Sequence, residues 1–126
     1  MDIRDDLFYT KDHEWVQVLD DKIKIGITDF AQGELGDIIF VELPAIGSTV
    51  NKGDSAATIE AVKTVADVYT PISGEIAEIN NSIESTPELV NTSPYDEGWI
   101  LSIATNKPID LKNFLSSSEY KEFIGI

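Results

Sequence analysis

The 126-residue chain contains no cysteine. That excludes a disulfide, a thiolate nucleophile and a cysteine metal site. Any sulfur chemistry must arrive on a cofactor. Histidine is almost as scarce, with His13 alone. A Ser-His-Asp set would depend on it, yet no Gly-x-Ser-x-Gly elbow is present. One histidine among scattered carboxylates does not make a zinc site. Neither Gly-x-Gly-x-x-Gly nor a phosphate loop occurs. No apolar run approaches the ~18 residues that span a membrane. The N-terminus, Met1-Asp2-Ile3-Arg4-Asp5-Asp6, is acidic and lacks an apolar stretch, so no signal peptide or Arg-rich transit peptide is expected there. Basic residues are few: nine Lys and Arg stand against 23 Asp and Glu, for a formal net charge of -14. Such a surface repels nucleic acid and anionic membranes. It permits steered docking to basic protein surfaces, and it equally serves plain solubility.

What is present fits one domain spanning 1–126. The chain is 42% hydrophobic, enough for a single core. Trp15-Val16-Gln17-Val18 is strand-prone and Asp20-Asp21 makes a turn. Ile23, Ile25 and Ile27 then alternate with Lys22, Lys24 and Gly26, which predicts a hairpin with one apolar face. The run from Ile38 to Leu43, broken only by Glu42, predicts a strand buried on both faces. Turns follow at Pro44 to Gly47 and Asn51 to Asp54. Further strands are expected on either side of Lys63, over Gly74 to Ile79 and over Trp99 to Ile103, the last with Trp99, Leu101 and Ile103 on one face. Short helical turns are expected at Thr28 to Gln32 and Ser85 to Val90. Ser116-Ser117-Ser118-Glu119 reads as a capping box, with Tyr120, Phe123 and Ile124 at helical spacing behind it. This predicts a C-terminal helix over 117–123. Many short strands with Gly and Pro turns imply a mainly β sandwich or barrel.

Little catalytic equipment remains, which favours a carrier or binding module over an enzyme. The sharpest feature is Lys63. It lies in Thr58-Ile59-Glu60-Ala61-Val62-Lys63-Thr64-Val65-Ala66-Asp67-Val68-Tyr69, between two strand-prone segments of similar length. That arrangement can turn at its centre and project the lysine from a hairpin tip. A lysine on an exposed turn is ordinarily a solubilising charge. Displayed this way it also suits enzymatic acylation, because a partner reaches the amine without unfolding a core. Eleven residues on, Pro71-Ile72-Ser73-Gly74 gives a second turn. Gly74 is expected there to adopt a backbone conformation poorly open to residues with a Cβ.

Six stretches in order carry a family resemblance. They are Tyr9 to Val16, Gly26 to Gln32, Leu35 to Pro44, Glu60 to Lys63, Asp67 to Glu75 and Asn91 to Trp99. Together they resemble the glycine cleavage H-protein family. The resemblance implies a lipoyl/biotinyl-type barrel-sandwich hybrid with short helices, and lipoate joined covalently to Lys63. It implies that Glu60 and Gly74 are read by lipoylating enzymes. It also implies three working partners: glycine decarboxylase (P protein), aminomethyltransferase (T protein) and dihydrolipoyl dehydrogenase (L protein). The carrier would shuttle an aminomethyl group and then a dithiol among them. Glu14 and Asp67 occupy family positions that line a cleft for the loaded arm, and Asp12 adds to it. In an acidic protein all three are equally readable as surface carboxylates. His13 and Trp15 are expected to pack the first strand, and Asn91 to Trp99 to shape a loop beside the cleft.

Departures from the family pattern are small: Ala61 where serine is usual, Thr64 where alanine is common, and Asp12 before His-Glu-Trp. Rival carriers match less well. A biotinyl carrier places Met on both sides of its lysine, whereas Val62 and Thr64 stand here. A lipoyl domain of a 2-oxoacid dehydrogenase has Asp before the lysine. A lipoyl-relay protein that donates its cofactor to other carriers, and a non-lipoylated adaptor, stay open. The expected location is the bacterial cytoplasm, or the mitochondrial matrix if the chain comes from a processed eukaryotic precursor.

Overall fold

Alternation writes the first hairpin. Phe8–Tyr9 forms β1, Glu14–Val18 β2 and Lys22–Ile27 β3. β2 and β3 pair antiparallel, with Val16 opposite Ile25 and Val18 opposite Ile23. Ile23, Ile25 and Ile27 are buried, as the period of two requires. This computed structural model describes residues 1–126.

Thr28 then breaks the strand and caps α1, Asp29–Leu35; its hydroxyl accepts from Ala31 N–H. The helix runs nearly two turns, longer than the sequence predicts, until Gly36 stops it at φ 78°. β4, Ile38–Glu42, corrects the expectation of a strand buried on both faces. Ile38 and Val41 are buried, but Ile39 and Phe40 are exposed. A register shift between Ile38 and Phe40 turns the strand, as bulges do, and an apolar run therefore did not mean two covered faces.

Thr49–Val50 is β5, Ser55–Ala61 β6, Val65–Tyr69 β7 and Gly74–Ile79 β8. The single helical turn expected at Ser85 to Val90 is two: α2 at Ser82–Ser85 and α3 at Leu89–Thr92, divided around Pro87. β9 is Leu101–Ala104. It starts later than predicted, leaving Trp99 in the preceding loop. Nor is it one-faced: Ile100, Leu101, Ser102 and Ile103 are all buried. Ser102 tolerates this because its hydroxyl donates to Glu78 at 3.0 Å.

The strands form two sheets. One has the order β1-β2-β3-β9-β8-β5, the other β4-β6-β7. A single core of aliphatic side chains lies between them, with Ile25, Ile59, Ile76 and Ile103 wholly buried. Beside it sits a smaller cluster of Leu7, Tyr9, Trp15, Tyr95 and Tyr120. Tyr120 comes from α4, Ser117–Ile124. The capping box is present in full: Ser116 accepts from Glu119 N–H and Glu119 from Ser116 N–H. Tyr120 stacks on Tyr9 with centroids 4.6 Å apart. Of the expected apolar stripe only Tyr120 is fully buried, and Phe123 stays exposed. The architecture is mainly β with short helices, as predicted.

Candidate functional site

β6 and β7 pair antiparallel, with Glu60 opposite Val65. Ala61 N–H donates to Thr64 C=O at 2.8 Å and closes the tip. Val62 N–H donates to Asp37 C=O at 3.0 Å, so the turn is also tied to the segment between α1 and β4. Val62, Lys63 and Thr64 are exposed. The chain's ion pairs involve Arg4 and Lys22. Lys63 has no ion pair, and its Cε and Nζ lie 3.6 and 4.0 Å from where a Cβ on Gly36 would stand. Glu60 is exposed on β6, laterally between Phe40 and Val65.

Gly74 lies elsewhere. β7 runs away from Lys63, and Gly74 opens β8 past its far end. It does not have the left-handed φ that the sequence reading expected. Glycine is needed there for space: a Cβ would collide with the Ala104 carbonyl and approach Ile103 Cγ2 at 2.9 Å.

Between α1 and β7, the edge strand of the smaller sheet, a cleft of about 430 Å³ opens. Phe30, Ala31, Glu34 and Leu35 form one wall and Ala66, Asp67 and Val68 the other. Asp12, His13 and Glu14 reach in from the start of β2. Lys63 is not among the lining residues; its stem lies beside Gly36, which follows Leu35 of the helical wall, and its turn leads into β7. A hollow of about 530 Å³ lies at Gly74, and its lining residues, Thr49, Ser73, Thr105 and Lys107 among them, are mostly of polar type. The cleft is the one that joins apolar walls to carboxylates.

Glu14 is 2% exposed. Its Oε1 accepts from the Thr10 hydroxyl at 2.6 Å and its Oε2 from Tyr69 N–H at 3.2 Å. Burial pushes the carboxyl up to about 7, against the lowering effect of those two hydrogen bonds. Asp67 is exposed, and its Oδ1 accepts from Ser55 at 2.9 Å and from Thr58 at 3.2 Å. Its Oδ2 is left without a partner. Asp12 is exposed at the cleft rim. The three carboxylates named from sequence thus share one cleft.

The profile of the glycine cleavage H-protein family matches residues 7–125. This chain belongs to that family. A glycine cleavage system H protein of Listeria monocytogenes serovar 1/2a is 51% identical over 124 residues, covering 98% of this chain and 99% of the relative. One of Coprothermobacter proteolyticus is 48% identical over 126 residues, with 99% of each covered. The crystal structure of a glycine cleavage system H protein from Mycobacterium marinum superposes with a TM-score of 0.90 at 37% identity, covering 98% of this chain and all of that one. The fold is the lipoyl-type barrel-sandwich. The protein is a carrier component of the glycine cleavage system, not a catalytic enzyme. The family carries lipoate. No helix is long and apolar enough to cross a membrane.

Several supports of the cleft escaped the sequence. His13 does more than pack its strand. It takes a left-handed φ of 66°, and its Nδ1 lies 2.9 Å from the Tyr120 hydroxyl. That hydroxyl is also 2.8 Å from Thr28 Oγ1, the cap of α1. One tyrosine of α4 therefore links the cleft's floor to its helical wall. Only the N-cap residue type at Thr28 signalled part of this. The Asn91 to Trp99 segment does not border the cleft, contrary to expectation. It braces α1 from behind. Asn91 donates to Gln32 Oε1 at 3.0 Å and to Gly36 C=O at 2.9 Å, and accepts from Ile38 N–H at 3.0 Å. Trp15 Nε1 donates to Pro94 C=O at 2.8 Å, so the segment's place is set by a buried indole.

Proposed function

We propose that Lys63 carries lipoate in amide linkage and that the cleft between α1 and β7 receives the loaded arm. The observation behind this is an exposed, unpaired lysine whose stem lies beside Gly36, the residue that follows the helical wall of a partly apolar, acidic cleft. The fit is reasonable on this chain's own residues. The turn is fixed by main-chain bonds at Ala61 and Val62, so the amine is presented without a lasting partner to displace. The missing side chain of Gly36 leaves the lysine stem a place to lie. If bound there, lipoate would supply a strained ring disulfide, whose chemistry would be carried out at three partners: glycine decarboxylase (P protein), with release of CO2; aminomethyltransferase (T protein), with passage of the one-carbon unit to tetrahydrofolate and release of ammonia; and dihydrolipoyl dehydrogenase (L protein), with reoxidation of the dithiol.

The residues do the rest. Phe30, Leu35, Ile59 and Val68 give the arm's hydrocarbon an apolar bed and keep water away. Glu14, Asp67 and Asp12 hold the cargo's ammonium. A hydrogen bond to a charged group contributes about 1.5–3 kcal/mol. An ammonium beside Glu14 favours its ionised form, so docking expels a proton near neutral pH. Glu60, beside the tip, and Gly74, which keeps β8 against β9, are the features that lipoylating enzymes read. One domain spanning 1–126 contains all of this. The bacterial relatives support a cytoplasmic location.

Reconstitution with purified decarboxylase tests the role. Lipoylated protein should stimulate glycine–bicarbonate exchange, and the unmodified protein and Lys63→Arg should not. Exchange supported equally by Lys63→Arg would refute the reading. Stimulation without lipoate would favour the adaptor.

A further inference from the structure

We propose that Gly36 is a positioning residue: its bare backbone is the rail over which the Lys63 stem passes toward the cleft. This rests on the reading that the loaded arm docks between α1 and β7. Among the chain's glycines, Gly36 alone has a missing side chain whose space borders Lys63. At Gly26, Gly74 and Gly98 a Cβ would strike an indole or backbone, and at Gly33, Gly47, Gly53 and Gly125 it would meet open space. A Cβ at Gly36 would lie at ordinary contact distance from the lysine Cε, 3.6 Å. There is room for a methyl group, although the backbone angle strains any residue with a Cβ, whereas a branched side chain would also extend across the lysine's course.

The glycine is held in place from several sides. Its φ of 78° and ψ of -155° fall in a region essentially reserved for glycine. Its N–H donates to Gln32 C=O at 3.0 Å and its C=O accepts from Asn91 Nδ2 at 2.9 Å. Asn91 also fixes Ile38 N–H on the other side. The lysine's own turn is pinned to the same junction by the bond from Val62 N–H to Asp37 C=O. Gly36 and the main chain of the lysine's turn are therefore held at one junction. Leu35 and Glu34, the residues before Gly36, belong to the cleft wall. A stem lying over Gly36 is directed along α1 into that cleft.

The test compares Gly36→Ala, Gly36→Leu and Gly47→Leu with the parent protein. Gly47 also has a left-handed φ, 91°, with open space around it. The two Gly36 variants share the same backbone strain and differ in the room they occupy. Each is lipoylated, loaded with the aminomethyl group and followed without transferase as water converts it to free thiol, formaldehyde and ammonium. Gly36→Leu should release ammonium about tenfold faster than the parent, because the charge-assisted contact at Glu14 is lost with the docked pose. Gly36→Ala and Gly47→Leu should stay near the parent rate. Equal acceleration in Gly36→Ala and Gly36→Leu would assign the effect to strain and overturn the proposal. Glu14→Ala is measured alongside. If it accelerates release and Gly36→Leu does not, the rail is wrong and the cleft survives. If neither does, the cleft reading fails and takes the rail with it. A readout independent of folding in the variants is the nuclear Overhauser contact between Lys63 Hε and Gly36 Hα in the parent, before and after lipoylation. Its presence in both forms is expected, and its absence would overturn the proposal.

Discussion

Glu14 is the residue whose chemistry departs most from its sequence appearance. Among 23 acids it looks like one more surface charge, yet it is buried with both oxygens engaged. In the unfolded chain it ionises near its ordinary value of 4.5, and in the fold near 7. Folding therefore favours the protonated carboxyl. The associated stability is fully present below about 4.5 and is lost as pH rises through about 7. Glu14→Gln keeps the shape and cannot titrate. The unfolding free energy of the parent relative to this variant should fall by up to about 3 kcal/mol between pH 4 and pH 8. Urea unfolding of both proteins across that range measures it, and a pH-independent difference would contradict it. Lys63 is the opposite case. Its place on a tip was readable, because two strand-prone segments flank it. Its neighbour Gly36 was not, because the contact joins positions 27 residues apart.

At the scale of elements, the helices decide the cleft's shape. α1 forms one wall, and Tyr120 of α4 joins its cap Thr28 to His13 on the floor. Tyr120→Phe removes the hydroxyl and leaves the ring stacked on Tyr9. It should cost about 1–3 kcal/mol, the range for leaving buried polar partners unpaired. Chemical denaturation reads the loss, and a change under about 0.5 kcal/mol, the lower bound for a net hydrogen bond, would show the network to be idle. The helix carrying Tyr120 was legible because its start is a local signal, Ser116 and Glu119 three apart. The β2–β3 hairpin was legible for the same reason, since alternation over six residues fixes a face. What failed was long-range. Nothing near Ile38 announces that Ile39 and Phe40 remain uncovered, since that depends on a bulge against β6. Nothing in Asn91 announces three bonds to α1 and β4. Gly74 was rightly singled out as a glycine the fold needs, but for its dihedral instead of its crowding against β9.

The whole molecule is a small acidic carrier, with the proposed attachment point exposed at one hairpin tip. The cleft's carboxylates were legible because Glu14 and Asp67 could be matched to family positions and Asp12 lies two residues before Glu14, and the structure gathers all three around one cleft. Its apolar half was not, because Phe30, Leu35, Ile59 and Val68 come from different elements and converge only in the fold. The central claim is that this assembly serves one acylated amine, that of Lys63. The most direct measurement is peptide mass spectrometry of protein lipoylated to completion, with Lys63→Arg treated in parallel. The account predicts one lipoyl group, on the peptide containing Lys63, and none on the arginine variant. A lipoyl group on any other lysine, or on Lys63→Arg, would contradict it.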